Sequence, residues 1–137
     1  MVLIILVAIL TISSFIIIKW NKKKVQLVAI LEYFKELADE KLIESRTQVL
    51  NKKNENINYE LQNCKDETTV CDFLNKWGYM VKYNYLPFNM FKGSTGTEVM
   101  QLYISLSGYI EYRKKDNTEY CKEFVYLYYR IKNNTSD

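Results

Sequence analysis

Met1 to Ile18 (MVLIILVAILTISSFIII) carries no charged side chain, and only Thr11, Ser13 and Ser14 are polar. This stretch constrains the chain most, because a run so apolar must be covered by something. Helical hydroxyls can bond back to their own carbonyls, and at about 1.5 Å per residue the run is about 27 Å long, against a hydrocarbon core of roughly 30 Å. Trp20 suits the headgroup layer and Lys19 can snorkel. The sequence therefore predicts a transmembrane anchor over residues 1–20, with the lipid bilayer as first partner and a single-pass membrane location. A cleavable signal peptide needs a basic n-region and a small-x-small site, and the run ends instead in Ile-Ile-Ile-Lys-Trp.

Lys19, Lys22, Lys23 and Lys24 follow the run and no charged side chain precedes it. The positive-inside rule then favours a cytosolic C-terminal part, with an extracytoplasmic domain as the alternative.

Residues 25–53, VQLVAILEYFKELADEKLIESRTQVLNKK, contain no Gly or Pro and are rich in Leu, Glu, Lys and Ala, so they read as one long amphipathic helix. Leu27, Ile30, Leu31, Phe34, Leu37, Ala38, Leu42 and Val49 follow a spacing near 3.6, with charged residues opposite. Of these, Leu27, Ile30, Phe34 and Leu37 are the expected helix-packing, partner-binding stripe. A coiled coil is not sustained, since Lys41 and Glu44 fall on the seam. Five asparagines between Asn51 and Asn63 predict a helix end or linker.

The remainder reads as a small α+β domain. Thr68 or Thr69 is placed to cap a short helix that ends at Gly78. Tyr79 to Leu86 is β-favouring and closed by Pro87, and Asn89 to Thr97 is a glycine-containing loop. From Val99 to Tyr112 the residues alternate, Met100, Leu102, Ile104, Leu106, Ile110 and Tyr112 against Gln101, Tyr103, Ser105, Ser107, Tyr109 and Glu111, which predicts a half-buried strand. Lys114 to Thr118 supplies a turn, and Cys121 to Ile131 returns as a second strand of a C-terminal antiparallel hairpin. A helix with Phe124, Leu127, Tyr128 and Ile131 on one side fits the last segment too, but its β-branched and aromatic content favours a strand. The expected organisation is thus an anchor at 1–20, a helical stalk and linker at 21–63, and an α+β domain with a small antiparallel sheet at 64–137.

The absence of histidine removes His-based triads, HExxH zinc sites and the commonest general base near neutral pH. Three cysteines without histidine cannot complete a four-ligand zinc site, and no cofactor or metal site is expected. Gly93-Ser-Thr-Gly96 lacks the GxxxxGK[ST] spacing of a phosphate loop. Asp72 with Glu67, and Asp116 with Glu119, are short-range pairs in helix-start or turn contexts. Cys64 and Cys71 lie near Lys65 and Lys76. They are packing thiols in a reducing compartment; outside it, Cys64 with Cys71, or either with Cys121, could bridge.

Twelve tyrosines are the most distinctive compositional feature. Tyr103, Tyr109, Tyr126 and Tyr128 are expected on an exposed sheet face as a protein-binding surface. A net charge of only +3 argues against a strong nucleic-acid surface.

The order of anchor, long amphipathic helix and C-terminal sheet resembles the layout of type IV pilin-like subunits and of the alignment-type subunits of pilus and type II secretion platforms. Pilins usually carry a glutamate near the start of the mature helix, where this chain has Ile4 and Ile5, so no functional residue is carried over. The sequence reads as a non-enzymatic, single-pass membrane-anchored interaction or assembly module, binding a protein partner or a second copy of itself. The alternative is an extracytoplasmic structural subunit of a filament, secretion platform or viral envelope.

Overall fold

Five α-helices and one 3-10 turn make up the regular structure of the described residues. The computed structural model describes residues 2–52, 58–60 and 62–135, with side chains from Leu10 onward. The order is α1 (Val2–Leu37), α2 (Glu40–Asn51), α3 (Lys65–Lys82), the turn Phe88–Phe91, α4 (Ser94–Lys114) and α5 (Lys122–Asn134). The expected linker at Asn51–Asn63 falls partly on residues 53–57 and 61, outside the described residues.

α1 persists for 36 residues because nothing between Val2 and Leu37 breaks it. Ser13 and Ser14 donate their hydroxyls to the Leu10 carbonyl at 3.0 and 2.8 Å. The long amphipathic helix does not continue past Leu37. Asp39 adopts an extended conformation (φ −65°, ψ 126°), and its carboxylate accepts from the Leu42 amide at 3.1 Å, capping α2. An aspartate after an alanine competes with the helical backbone, and here that competition starts a new helix.

α3 is the central helix, buried along Val70, Cys71, Leu74, Trp77, Gly78 and Val81. It packs on α2 and, most extensively, on α5, while α4 closes the bundle against α2, α5 and the 3-10 turn. Tyr33 of α1 is fully buried in an aromatic cluster, with ring centroids 5.2 Å from Trp77, 5.7 Å from Phe91 and 5.8 Å from Phe73. Edge-to-face and offset arrangements of this kind add to the burial of apolar area. Ala29 and Tyr33 therefore join Leu42 and Val49 in one core with α3, α4 and α5.

The expected sheet is corrected to helix. Among the described residues there is no strand. Val99 to Tyr112 lies inside α4, whose buried residues Val99, Leu102, Leu106, Tyr109 and Ile110 follow a helical spacing. Leu102, Leu106 and Ile110 satisfy both periods, so the alternation is a coincidence of shared positions. Ile104, assigned to the inner strand face, is 50% exposed, and Tyr109, assigned to the outer face, is 1% exposed. Cys121–Ile131 is likewise mostly α5, with Phe124, Leu127 and Ile131 buried. Tyr79–Lys82 completes α3 rather than starting a strand.

Gly78 does not end α3. It sits mid-helix, where a Cβ would lie 2.1 Å from the Glu123 carbonyl oxygen, so glycine is what lets α3 and α5 approach. Thr68 and Thr69, expected as caps, donate instead to the carbonyls of Cys64 and Lys65 at 2.8 Å each.

Candidate functional site

α1 has two halves of different character. From Gln26 onward it is fastened to the bundle: Gln26 Nε2 donates to the Asn84 carbonyl at 3.1 Å, and Trp77 Nε1 donates to Glu36 Oε2 at 3.1 Å. Lys76 Nζ donates to both Glu32 and Glu36. Before Gln26 the described side chains are exposed, Ser13 alone being half-buried. Leu10 to Val25 thus forms an arm reaching about 24 Å from the bundle. Phe15, Ile18 and Trp20 on it are 69%, 67% and 65% exposed. The exposed apolar side chains Leu10, Ile12, Phe15, Ile16, Ile17 and Ile18 occur at consecutive as well as alternate positions, so they surround the helix instead of lining one face.

Lys19, Lys22, Lys23 and Lys24 follow, all exposed. They form a basic collar between the apolar segment and the bundle. The transmembrane reading of residues 1–20, and with it the single-pass location, is overturned: among the described residues no helix is long and apolar enough to cross a membrane. The uncharged segment with described side chains, residues 10–18, spans only about 14 Å, less than half the roughly 30 Å core. Met1 and the side chains of residues 2–9, on which the rest of that reading rested, lie outside the described residues.

The expected packing stripe divides. Ile30 and Leu37 are half-buried against the core, whereas Leu27 and Phe34 are 57% and 53% exposed, together with Leu31. Ala29 and Tyr33 take the buried positions instead. The residues at 27, 31 and 34 leave a short apolar stripe on the free side of α1.

The four tyrosines do not share a face. Tyr109 is in the core, where its hydroxyl pairs with Thr68 Oγ1 at 2.7 Å and accepts from Arg113 Nη1 at 2.9 Å. Tyr103 and Tyr128 are half-buried and stacked across the α4–α5 contact, with centroids 3.9 Å apart. Tyr126 is half-buried and accepts from Arg130 Nη1 at 2.9 Å. These rings pack between helices, whereas a two-residue period would spread them over a sheet surface.

The buried carboxylates are engaged in ion pairs. Glu67 is buried and paired with Lys52 at 3.2 Å, Glu123 is buried and paired with Lys82 at 2.9 Å, and Arg46 pairs with Glu98. The Glu123 bond holds the Lys82 ammonium above its usual range, while burial lowers the Arg46 guanidinium. A groove of about 390 Å³ between α1, α2 and α3 is lined by Glu32, Glu36, Asp39 and Phe73, among others, and its two glutamates are the ones that Lys76 and Trp77 already engage. Among the described residues no three acidic or cysteine side chains gather as a metal site. Cys71 and Cys121, separated by fifty positions, meet at the α3–α5 junction, a pairing the spacing alone left among several alternatives.

No curated protein and no solved structure matches the chain. A family model described as a domain of unknown function, DUF4760, matches residues 2–131. That match runs from the first residue of α1 to the last buried residue of α5, Ile131. The match therefore takes in arm and bundle together, and the chain belongs to the DUF4760 family.

Proposed function

We propose that the chain is a non-enzymatic interaction and assembly module, held at a lipid surface by the apolar arm of α1 and presenting the helical bundle to a protein partner. The observation that carries this reading is the arm itself: an uncharged segment of exposed apolar side chains followed by four lysines. Exposed apolar surface of that extent is uncommon unless something covers it. Burying a Leu, Ile or Phe side chain is worth about 1.5–3 kcal/mol, and each lysine near an anionic surface adds about 1 kcal/mol. Insertion of the segment among acyl chains with the collar at the headgroups satisfies both, and it requires no crossing of the bilayer. Confinement to a surface raises the bundle's effective concentration for its partner.

Vesicle co-flotation tests this. The full chain is expected to float with phosphatidylcholine vesicles, and more completely when phosphatidylserine is included. Ile17→Glu should abolish flotation while leaving helical circular dichroism unchanged, since Ile17 touches no core residue. A parent chain that stays behind while both vesicle types float would refute the proposal.

A second reading rests on Leu27, Leu31 and Phe34, whose exposure on the docked half of α1 favours pairing with another helix. Phe34→Glu should then weaken self-association measured by sedimentation, and an equally associated variant would remove this reading.

A further inference from the structure

One row of α3 is spent on the first turn of α5. Cys71, Asn75, Gly78 and Lys82 follow one another at intervals of four, three and four, along a single face. Asn75 Oδ1 accepts from the Glu123 and Phe124 amides at 3.0 and 3.2 Å. Gly78 admits the Glu123 carbonyl, and Lys82 holds the Glu123 carboxylate. Cys71 completes the row, and its thiol meets that of Cys121, the residue immediately before α5. Cys121 is held at φ +54°, a left-handed conformation that is costly for a residue with a Cβ. The Tyr120 hydroxyl is buried without a hydrogen-bond partner of good geometry among the described residues, and it lies beside both sulfurs.

We propose that Cys71 and Cys121 are a dithiol–disulfide couple which, when oxidised by a small aliphatic disulfide, ties α3 covalently to the start of α5. The two thiols have distinct parts. Hydrogen bonding from Cys71 holds the Cys121 thiol below its usual range, whereas donation to Cys121 and burial push Cys71 up. The Cys121 thiolate attacks one sulfur of the disulfide, forming a mixed disulfide and expelling a thiolate that takes up the proton Cys121 lost. Cys71 then loses its proton, attacks the Cys121 sulfur and expels the second thiol. Two protein thiols and one disulfide become one protein disulfide and two small thiols. Cys64, half-buried two turns before Cys71 on the α3 side, takes no part.

Oxidised glutathione is the probe, added to the full chain in urea below the unfolding midpoint so that the buried thiols are reached through native opening. After alkylation of the denatured chain, peptide mapping should find Cys71 joined to Cys121 with the loss of two hydrogens, and Cys64 carrying either glutathione or the alkyl group. Cys71→Ser should stop at glutathione on Cys121, and Cys64→Ser should leave the bridge unchanged. The bridged chain should melt at a higher temperature than the reduced one, and reduction should return it. A chain whose Cys64 is glutathionylated while Cys71 and Cys121 both remain alkylatable would overturn the proposal, as would a bridge to Cys64 or a lowered melting temperature.

Discussion

Replacing Gly78 with alanine puts the α3–α5 contact to a sharp test. The new Cβ would lie 2.1 Å from the Glu123 carbonyl oxygen and 2.6 Å from its carbon, whereas close C···O contacts run at about 3.3 Å or more. The backbone of α5 must therefore retreat by about 1 Å, and neither group is a side-chain end that can swing aside. That retreat stretches the two Asn75 bonds that cap α5 and the Lys82–Glu123 pair. Overpacking of this kind costs about 1–3 kcal/mol, and weakening a helix cap about 1 kcal/mol more. Alanine's better helix propensity returns about 1 kcal/mol. The net expectation is a loss of about 1–3 kcal/mol, or roughly 4–12 °C in Tm for a domain of this size. Gly108→Ala is the internal control. It too lies inside a helix, but its nearest neighbour is the Tyr59 hydroxyl at 3.2 Å, the end of a movable side chain. It should be neutral or stabilising by up to about 1 kcal/mol. Urea unfolding of parent and variants, followed by circular dichroism at the helical band, measures all three. If Gly78→Ala were as stable as the parent, or if both variants moved together, the close α3–α5 approach would be wrong.

Three further outcomes are expected. Burial holds the Tyr33 hydroxyl at about 12, against an unfolded value near 10; above pH 10 the unfolded chain then binds fewer protons than the folded one, so stability falls as pH rises, by about 2–3 kcal/mol by pH 12. Tyr33→Phe should flatten that part of an alkaline denaturation profile, and an unchanged profile would contradict the buried hydroxyl. Asn75→Ala removes the acceptor for two α5 amides and should cost about 1–2 kcal/mol in chemical denaturation, with Asn75→Asp recovering most of it. Changing Lys22 and Lys23 to glutamine should weaken binding to phosphatidylserine vesicles by roughly 30-fold, at about 1 kcal/mol per lysine, and leave binding to neutral vesicles nearly unchanged.

Much of the helical content was legible wherever composition and period agreed. Residues 25–37 lack glycine and proline and fold as helix, and the break at Asp39 had a visible sign in a good N-cap residue inside a helical run. The sequence of α4 reads as a strand because Leu102, Leu106 and Ile110 serve a two-residue and a 3.6-residue period equally well. The deciding positions, Val99, Ile104 and Tyr109, differ only by where they fall around the helix. Tyrosine enrichment pushed α5 toward strand, yet the rings of Tyr103 and Tyr128 stack between helices, a contact that propensity does not register. Gly78 looked like a helix end because the sequence cannot display the α5 backbone that needs the room. The apolar arm and its lysines were plain in the sequence, although the span across a bilayer inferred from them does not stand. The meeting of Cys71 with Cys121 depends on α3 and α5 being neighbours, so it emerges only from the fold.

The two tryptophans provide the most direct test of the lipid-held arm, because Trp20 is exposed on it while Trp77 is sealed in the core. Fluorescence of the full chain is recorded with vesicles whose acyl chains carry bromine, which quenches only on contact. The account predicts a blue-shifted, quenched component that disappears in Trp20→Phe, leaving the Trp77 emission unaffected by the brominated lipid. Emission from Trp20 that keeps its water-exposed position and full intensity at saturating vesicles would contradict it.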